Sequence, residues 1–374
     1  MVDTMCKCIV ITNGLIFTSN PEKPLAEALV IVGDRIDYVG STSSIQFITR
    51  VCEIIDAEGH LVTAGFIDTH CHMAQAGFLE EYGVNLVGIS SIDEMLEVLA
   101  SKVKNTKPGE WIYGYGWDES YLKEHRYVTK EDLDEISPKN PIVLEHISGH
   151  MIAVNSFALR IANITKETPN PPGGIIDRYE DGEPTGILKD SAMNLVLRHI
   201  PKISINEWKR CIERAQWLWL RNGITAVEDA GVLGEGHDIL RAYRDLANEK
   251  KLLIKVRYSL PISGLRDLEV SYKDVKSNDL AKLRTNSIKL FYDGSGLART
   301  ALMYEDWCKD YRPEKGNRGI RLFDKEEFSE ILKFAKDKGL YVNVHAIGDR
   351  AIDEVLEIFS MVKPVSYTHL TLPT

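Results

Sequence analysis

Nothing in this 374-residue chain approaches the ~18 consecutive apolar residues that a membrane-spanning helix needs. Residues 1–8 lack a basic stretch leading into an apolar one, so no secretory signal is expected. Basic charge is in deficit. The 45 Lys and Arg against 55 Asp and Glu leave a net charge of −10, which argues against non-specific binding to nucleic acid or an anionic membrane. Cysteine is sparse: the six at positions 6, 8, 52, 71, 211 and 308 are too scattered for the disulfide framework of a small secreted domain. Reduced thiols and a cytoplasmic location are therefore expected. Cys6 and Cys8 share one face of a strand, but no second cysteine pair completes a zinc site. With these classes set aside, the length suits two domains at roughly 150 residues each and can bury a large core.

The first 60 residues read as short strands. Ile9–Thr12, Asn13-Gly14 and Leu15–Thr18 carry a hairpin signal, and residues 28–32, Gly33-Asp34 and 35–39 repeat it. From Leu61 the texture changes to strands separated by helical stretches, which implies βαβ units and a parallel sheet. Five such strands are expected, at 61–68, 223–229, 253–259, 287–293 and 341–345, each ending in polar or ionisable residues. That is the end of a (β/α)8 barrel where chemistry is placed. The segment 75–204 is too long for one crossover helix and reads as an α/β insertion after the first strand. Residues 365–374 fit neither a helix nor a strand and are set aside as a non-native tail. The domains expected are thus 1–60, an N-terminal β layer; 61–364, the barrel with its insertion; and 365–374, the tail.

His70-Cys71-His72 is the sharpest local signal, because imidazoles at i and i+2 of a strand point the same way and can share a metal ion. Asp68 lies on the same face, placed either to orient a ligand or to cap a loop. Lys289 interrupts the apolar strand Ile288–Phe291. A lysine there either reaches the rim or is used; a buried, neutral amine can combine with carbon dioxide to give an anionic carbamate. His345 ends the strand 341–345. Glu145, His146 and His150 cluster in the insertion, Trp117 and Asp118 follow an aromatic, glycine-rich strand, and Arg299 lies in the loop after the fourth strand.

Together, Gly65–His72, Gly149–Ser156, Gly182–Gly186, Lys289–Ser295 and His345–Ala351 resemble the amidohydrolase superfamily, in the branch that includes N-substituted formamide deformylase. The resemblance covers residues 8–362. It implies a metal-dependent hydrolase barrel with a small N-terminal β-sandwich layer, incomplete here because only five βα units are present. It implies a metal site of His70, His72, a carboxylated Lys289 bridging two divalent ions, zinc being the expected metal, and His345. His150, which lies in one of these motifs, is expected at the substrate, and so by position alone are Trp117, at the glycine-rich strand, and Arg299, in the loop after the fourth strand. The family's histidine on strand six and aspartate on strand eight have no counterpart before the chain stops; His369 lacks their context and is declined. The catalytic residue is thus unknown, and the resemblance implies a fragment without activity. The reaction implied is hydrolysis of a non-peptide carbon–nitrogen amide bond by water that a divalent ion has made acidic enough to ionise near neutral pH. The partner expected is a small-molecule amide, with neither nucleic acid nor membrane, and a homo-oligomer stays open. Two alternatives remain: a mononuclear deaminase of heterocycles, which does without a bridging lysine, and a non-catalytic binding protein of the same fold.

Overall fold

The computed structural model describes residues 7–45, 52–171, 174–232, 235–276, 280–294, 296, 299–309, 312–313, 315–362 and 369–370. The chain divides into two compact units, Met1–Phe66 and Ile67–Thr374.

In the first unit, β1 (Cys8–Thr12), β2 (Leu15–Phe17), β3 (Leu25–Ala26), β4 (Ala28–Val32), β5 (Arg35–Gly40), β6 (Glu53–Asp56) and β7 (Leu61–Val62) form two small sheets. Their orders are β5-β4-β1-β6 and β3-β2-β7. The β4–β5 hairpin forms as expected, with Val32 opposite Arg35. The hairpin expected at Asn13-Gly14 does not. β1 pairs with β4 and β6 while β2 pairs with β3 and β7, so the turn passes the chain from one sheet to the other. The reduced-thiol expectation is also corrected, because Cys8 and Cys52 form a disulfide. β1 and β6 run parallel with Ile9 opposite Glu53, and that register sets the two preceding cysteines side by side, 4.6 Å apart at Cα.

The second unit begins with β8 (Phe66–Cys71), whose first residue closes the preceding unit, and α1 (Met73–Tyr82). Then come β9 (Gly83–Asn85), α2 (Ile92–Lys104), β10 (Ile112–Trp117), α3 (Lys130–Ile136), β11 (Ile142–His146), β12 (Met151–Val154), α4 (Ser156–Ile161), β13 (Gly174–Arg178), β14 (Pro184–Asp190) and α5 (Asn194–Leu197). β9 to β14 make one six-stranded sheet, parallel across β9, β10 and β11 and antiparallel beyond. α6 (Ile205–Leu220), β15 (Ile224–Asp229), α7 (Gly236–Asn248), β16 (Lys255–Pro261), α8 (Leu265–Val275), β17 (Leu283–Phe291), β18 (Cys308–Lys309), β19 (Arg312–Pro313), α9 (Lys325–Asp337), β20 (Tyr341–His345), α10 (Asp349–Val362) and β21 (His369–Leu370) complete the chain. β8, β15, β16, β17, β20 and β21 are successive neighbours in a curled half-barrel sheet, parallel from β15 onward.

Two boundaries differ from expectation. The first barrel strand is Phe66–Cys71, because Leu61-Val62 pairs with β2 instead. The tail does continue a strand: His369 and Leu370 pair with Asn343 and Val344.

Helix α6 shows why this sequence folds locally as it does. Ser204 and Glu207 form a reciprocal capping box at its start. Trp208, Cys211, Ile212 and Ala215, at helical spacing, are buried. α1 approaches so closely that a Cβ on Gly77 would lie 2.1 Å from the Cys211 carbonyl oxygen, so the position requires glycine. This contact fixes the helix that directly follows His72.

Near the other edge of the sheet, Glu354 of α10 accepts hydrogen bonds from Arg321 (2.6 and 2.9 Å), Arg350 (2.9 Å) and Tyr292 (2.8 Å). Burial pushes its carboxyl pKa up, but these donors outweigh it and leave the pKa below the ordinary 4.5. A depressed folded-state pKa contributes stability above the unfolded value, and that contribution is lost as pH falls through the folded one. Glu354→Gln should therefore cost about 2 kcal/mol at pH 7 and flatten the acid limb of a urea-unfolding profile. An acid limb as steep as wild type's would refute this role.

Candidate metal centre

The site is built where β8 ends. Alternation along the strand puts Asp68 and His70 on one face. Asp68 accepts from the His70 backbone N–H (3.2 Å) and from the Trp219 indole N–H (3.0 Å), so it braces the strand rather than the His70 imidazole. The His70 Nδ1 is buried and has no hydrogen-bond partner. Burial, then Lys289, then His72 drive its pKa down to about 4, so the ring is neutral at pH 7 and keeps a lone pair. His72 follows the strand at the start of α1, its ring 5.5 Å from that of His70. Its Nδ1 donates to the Gly231 carbonyl at 2.8 Å. That bond fixes the tautomer and leaves Nε2 as the donor of a lone pair.

Gly231 is held in turn. It adopts φ +68, and a Cβ would come within 2.5 Å of the Ser259 carbonyl oxygen. Its N–H donates to Asp229 Oδ1 (3.0 Å), while Asp229 Oδ2 accepts from the Ala74 N–H (3.0 Å) and the Tyr243 hydroxyl (2.6 Å). Asp229 is fully buried. One carboxyl group thus ties the end of β15 to the first turn of α1, and so fixes both sides of His72.

Lys289 lies in β17 between Ile288 and Leu290, which are core residues. It shares the opposite face with Ser287. Only 2% of Lys289 is exposed, and burial drives its pKa down to about 8. Beneath it runs a polar plug that joins four strands. Glu228 Oε1 accepts from Ser259 (2.9 Å), Ser287 (3.1 Å) and Asn343 (2.6 Å). Lys289, His72 and Glu228 all act electrostatically on His70, the first two lowering its pKa and the third raising it.

His345 ends β20, with Phe291 of β17 opposite it in register. Its Nε2 donates to the Gly294 carbonyl at 2.8 Å, which leaves the lone pair on Nδ1. Asp293, beside it, accepts from the backbone N–H groups of Leu302, Ile347 and Gly348 (2.9, 3.1 and 2.9 Å) and holds the loops after β17 and β20. His70 with its unpartnered nitrogen, His72 with its tautomer fixed, and Lys289 with a depressed pKa are donors of the kinds a divalent ion takes, and His345 stands at the end of a further strand. Glu228, Asp229 and Asp293 had no place in the reading of the sequence.

The residues expected at the substrate lie on separate elements: Trp117 ends β10, His150 follows β11 and Arg299 follows β17. Trp117 is 1% exposed and packs in the core of the β9–β14 sheet, its N–H on the Leu144 carbonyl at 3.2 Å, so it offers no face to a ligand. His150 is half-buried after β11, and burial raises the carboxyl pKa of Glu145. Arg299 is half-buried in the left-handed region (φ 57) of the loop after β17. Asp118, Glu119 and His146 place ligand atoms within 4.8 Å of one another. Hydrogen bonds already engage both His146 nitrogens, to Glu119 and Ser148 at 2.8 Å each.

The amidohydrolase family model matches residues 53–369. The chain is 36% identical over 365 residues to Protein LONG AFTER FAR-RED 3 of Arabidopsis thaliana, covering 95% of this chain and 61% of that protein. It is 28% identical over 377 residues to N-substituted formamide deformylase of Arthrobacter pascens, covering 96% of this chain and 67% of the other. A solved structure of an uncharacterized metal-dependent hydrolase from Pyrococcus furiosus superposes with a TM-score of 0.73 at 30% identity, over 96% of this chain and 72% of that one. The chain thus spans less than two thirds of its Arabidopsis relative.

Proposed function

Since this chain belongs to the amidohydrolase family, we propose that it carries the metal-binding part of a hydrolase acting on non-peptide carbon–nitrogen bonds of a small-molecule amide. The observation that carries the reading is the neutral His70, with a buried, unpartnered Nδ1, beside a His72 whose tautomer is fixed by Gly231. His70, His72, His345 and Lys289 as its carbamate would hold the metal, zinc first, as two ions. When bound, such ions polarise a carbonyl and make water acidic enough to ionise near neutral pH. The protein's own part is to keep His70 neutral, to fix the tautomer of His72 and to exclude water from Lys289. The Arthrobacter relative is named for N-substituted formamides, and that substrate class is the natural first trial here.

The test is benzylamine release from N-benzylformamide by zinc-loaded protein, compared with chelator-treated protein. Release that depends on zinc supports the reading. Tight zinc binding with no release from any N-substituted formamide or acetamide would instead favour a non-catalytic metalloprotein.

A further inference from the structure

A cleft of about 490 Å³ lies toward the N-terminal ends of β16 and β17, where Lys255 and Leu283 are the first residues of their strands. These strands and β20 run parallel. Lys289 lies near the other end of β17 and His345 ends β20, so the cleft stands apart from the proposed metal centre along the strands. Its volume falls within the range of small-ligand sites.

The lining is strongly basic, although acids outnumber bases in the chain as a whole. Lys255, Arg257, Lys282 and Arg284 all line the cleft, and Glu228 is the one acid among the described lining residues. Strand register brings the four cations together. Arg257 and Arg284 are direct partners across β16 and β17, on strands about 4.8 Å apart. The Val256 N–H donates to the Lys282 carbonyl at 2.7 Å, which sets Lys282 beside Lys255. Alternation puts Lys255 on the same face of β16 as Arg257. Like charges directly opposite in a sheet are destabilising, and the partners in place compensate them in part. Glu228 Oε2 is 3.7 Å from Arg257 Nη1, while its Oε1 is taken by Ser259, Ser287 and Asn343. The Lys282 ammonium donates to the Leu253 carbonyl at 2.7 Å, a neutral acceptor. The Arg257 guanidinium stacks on Tyr341, 4.0 Å from the ring centroid, which fixes its plane.

We propose that this cleft binds a small phosphate monoester, with the phosphate between Arg257 and Arg284 and beside Lys255. A doubly charged oxyanion answers the opposed cations, and the guanidinium fork matches phosphate oxygens pairwise. A neutral ligand would leave the like charges facing each other. Ile67, which is exposed, and Leu280 add apolar surface to the lining and suit a ligand with a hydrocarbon body better than bare phosphate. The proposal stands independently of the hydrolase reading.

The experiment is isothermal titration of metal-free protein, dialysed free of chelator, with phenyl phosphate at constant physiological ionic strength. Saturable binding of one equivalent is expected. Inorganic phosphate should compete for the same site with lower affinity. Arg284→Gln removes a paired, charge-assisted contact and should weaken phenyl phosphate about 10-fold. Lys255→Gln removes one exposed charge and should weaken it about 3-fold. Lys104→Gln is the control: it makes the same change of charge on an exposed residue of α2, outside this cleft, and should leave the affinity unchanged. Four outcomes each overturn the proposal: no saturable binding to wild type, no competition by inorganic phosphate, wild-type affinity in both cleft variants, or an equal loss in Lys104→Gln, which would mark a response to net charge alone.

Discussion

His70→Ala should lose its metal. Equilibrated with zinc and then passed over a desalting column, the variant is expected to retain less than about a tenth of the zinc held by wild type, with affinity lowered by more than ~100-fold, the upper end of what even an outer-sphere change costs. The magnitude follows from the geometry. His72 can donate only through Nε2, because Nδ1 is committed to Gly231. His345 donates from a different strand, with its own Nε2 committed to Gly294. Without His70, no buried, unpartnered imidazole nitrogen is left beside His72. Alanine removes a buried, unpartnered nitrogen, so the fold should lose little beyond the packing of the ring. Metal loss with near-normal thermal unfolding of the metal-free protein is thus the specific expectation. His60→Ala is the control, since His60 is exposed and its Nδ1 bonds only to Ala57 in the first unit. Wild-type zinc content in His70→Ala would remove that residue from the centre.

The parts of this centre that could be read from the sequence are those that local periodicity marks. Alternation puts His70 on one face of a strand, and a cation in the apolar segment Ile288–Phe291 stands out against its neighbours. The alternation of strand and helix likewise announces a parallel sheet. What could not be read depends on register between segments far apart. Cys8 meets Cys52 only because β1 and β6 pair in parallel, and no spacing rule predicts that pairing. Leu61-Val62 and Phe66–Cys71 are both apolar enough to be a strand, and only the partner each finds tells them apart. Trp117 followed a glycine-rich strand that suggested a pocket, but the same apolar surface serves equally well as core. The polar plug did leave a trace. Asp68, Ser287 and Asn343 each precede a proposed ligand by two residues, so each shares its face. A small polar residue two positions before a proposed ligand is the legible signal: Asp68 carries it before His70, and Ser287 and Asn343 carry the same spacing before Lys289 and His345.

Lys289→Met should also weaken metal binding, but with a more stable metal-free fold. The ammonium is 2% exposed in a strand whose flanking residues are core, and burial alone explains the fall of its pKa to about 8. A cation kept from water in this way costs stability in the metal-free state, and a hydrophobic side chain of similar length removes the cost. Metal-free Lys289→Met is therefore expected to gain on the order of 1–2 kcal/mol in urea unfolding. On the proposed two-ion reading it should also bind at most one zinc ion, since its side chain can form no carbamate to serve as a ligand. Native mass spectrometry of wild type should show the added mass of one carbon dioxide, absent from the variant. A lysine that serves the fold behaves differently, because its replacement lowers stability and leaves the ion count alone. That outcome would return Lys289 to the structure and leave the centre with imidazoles alone, as a mononuclear deaminase site requires. The sign of the stability change thus decides whether this side chain is kept for the barrel or for the metal.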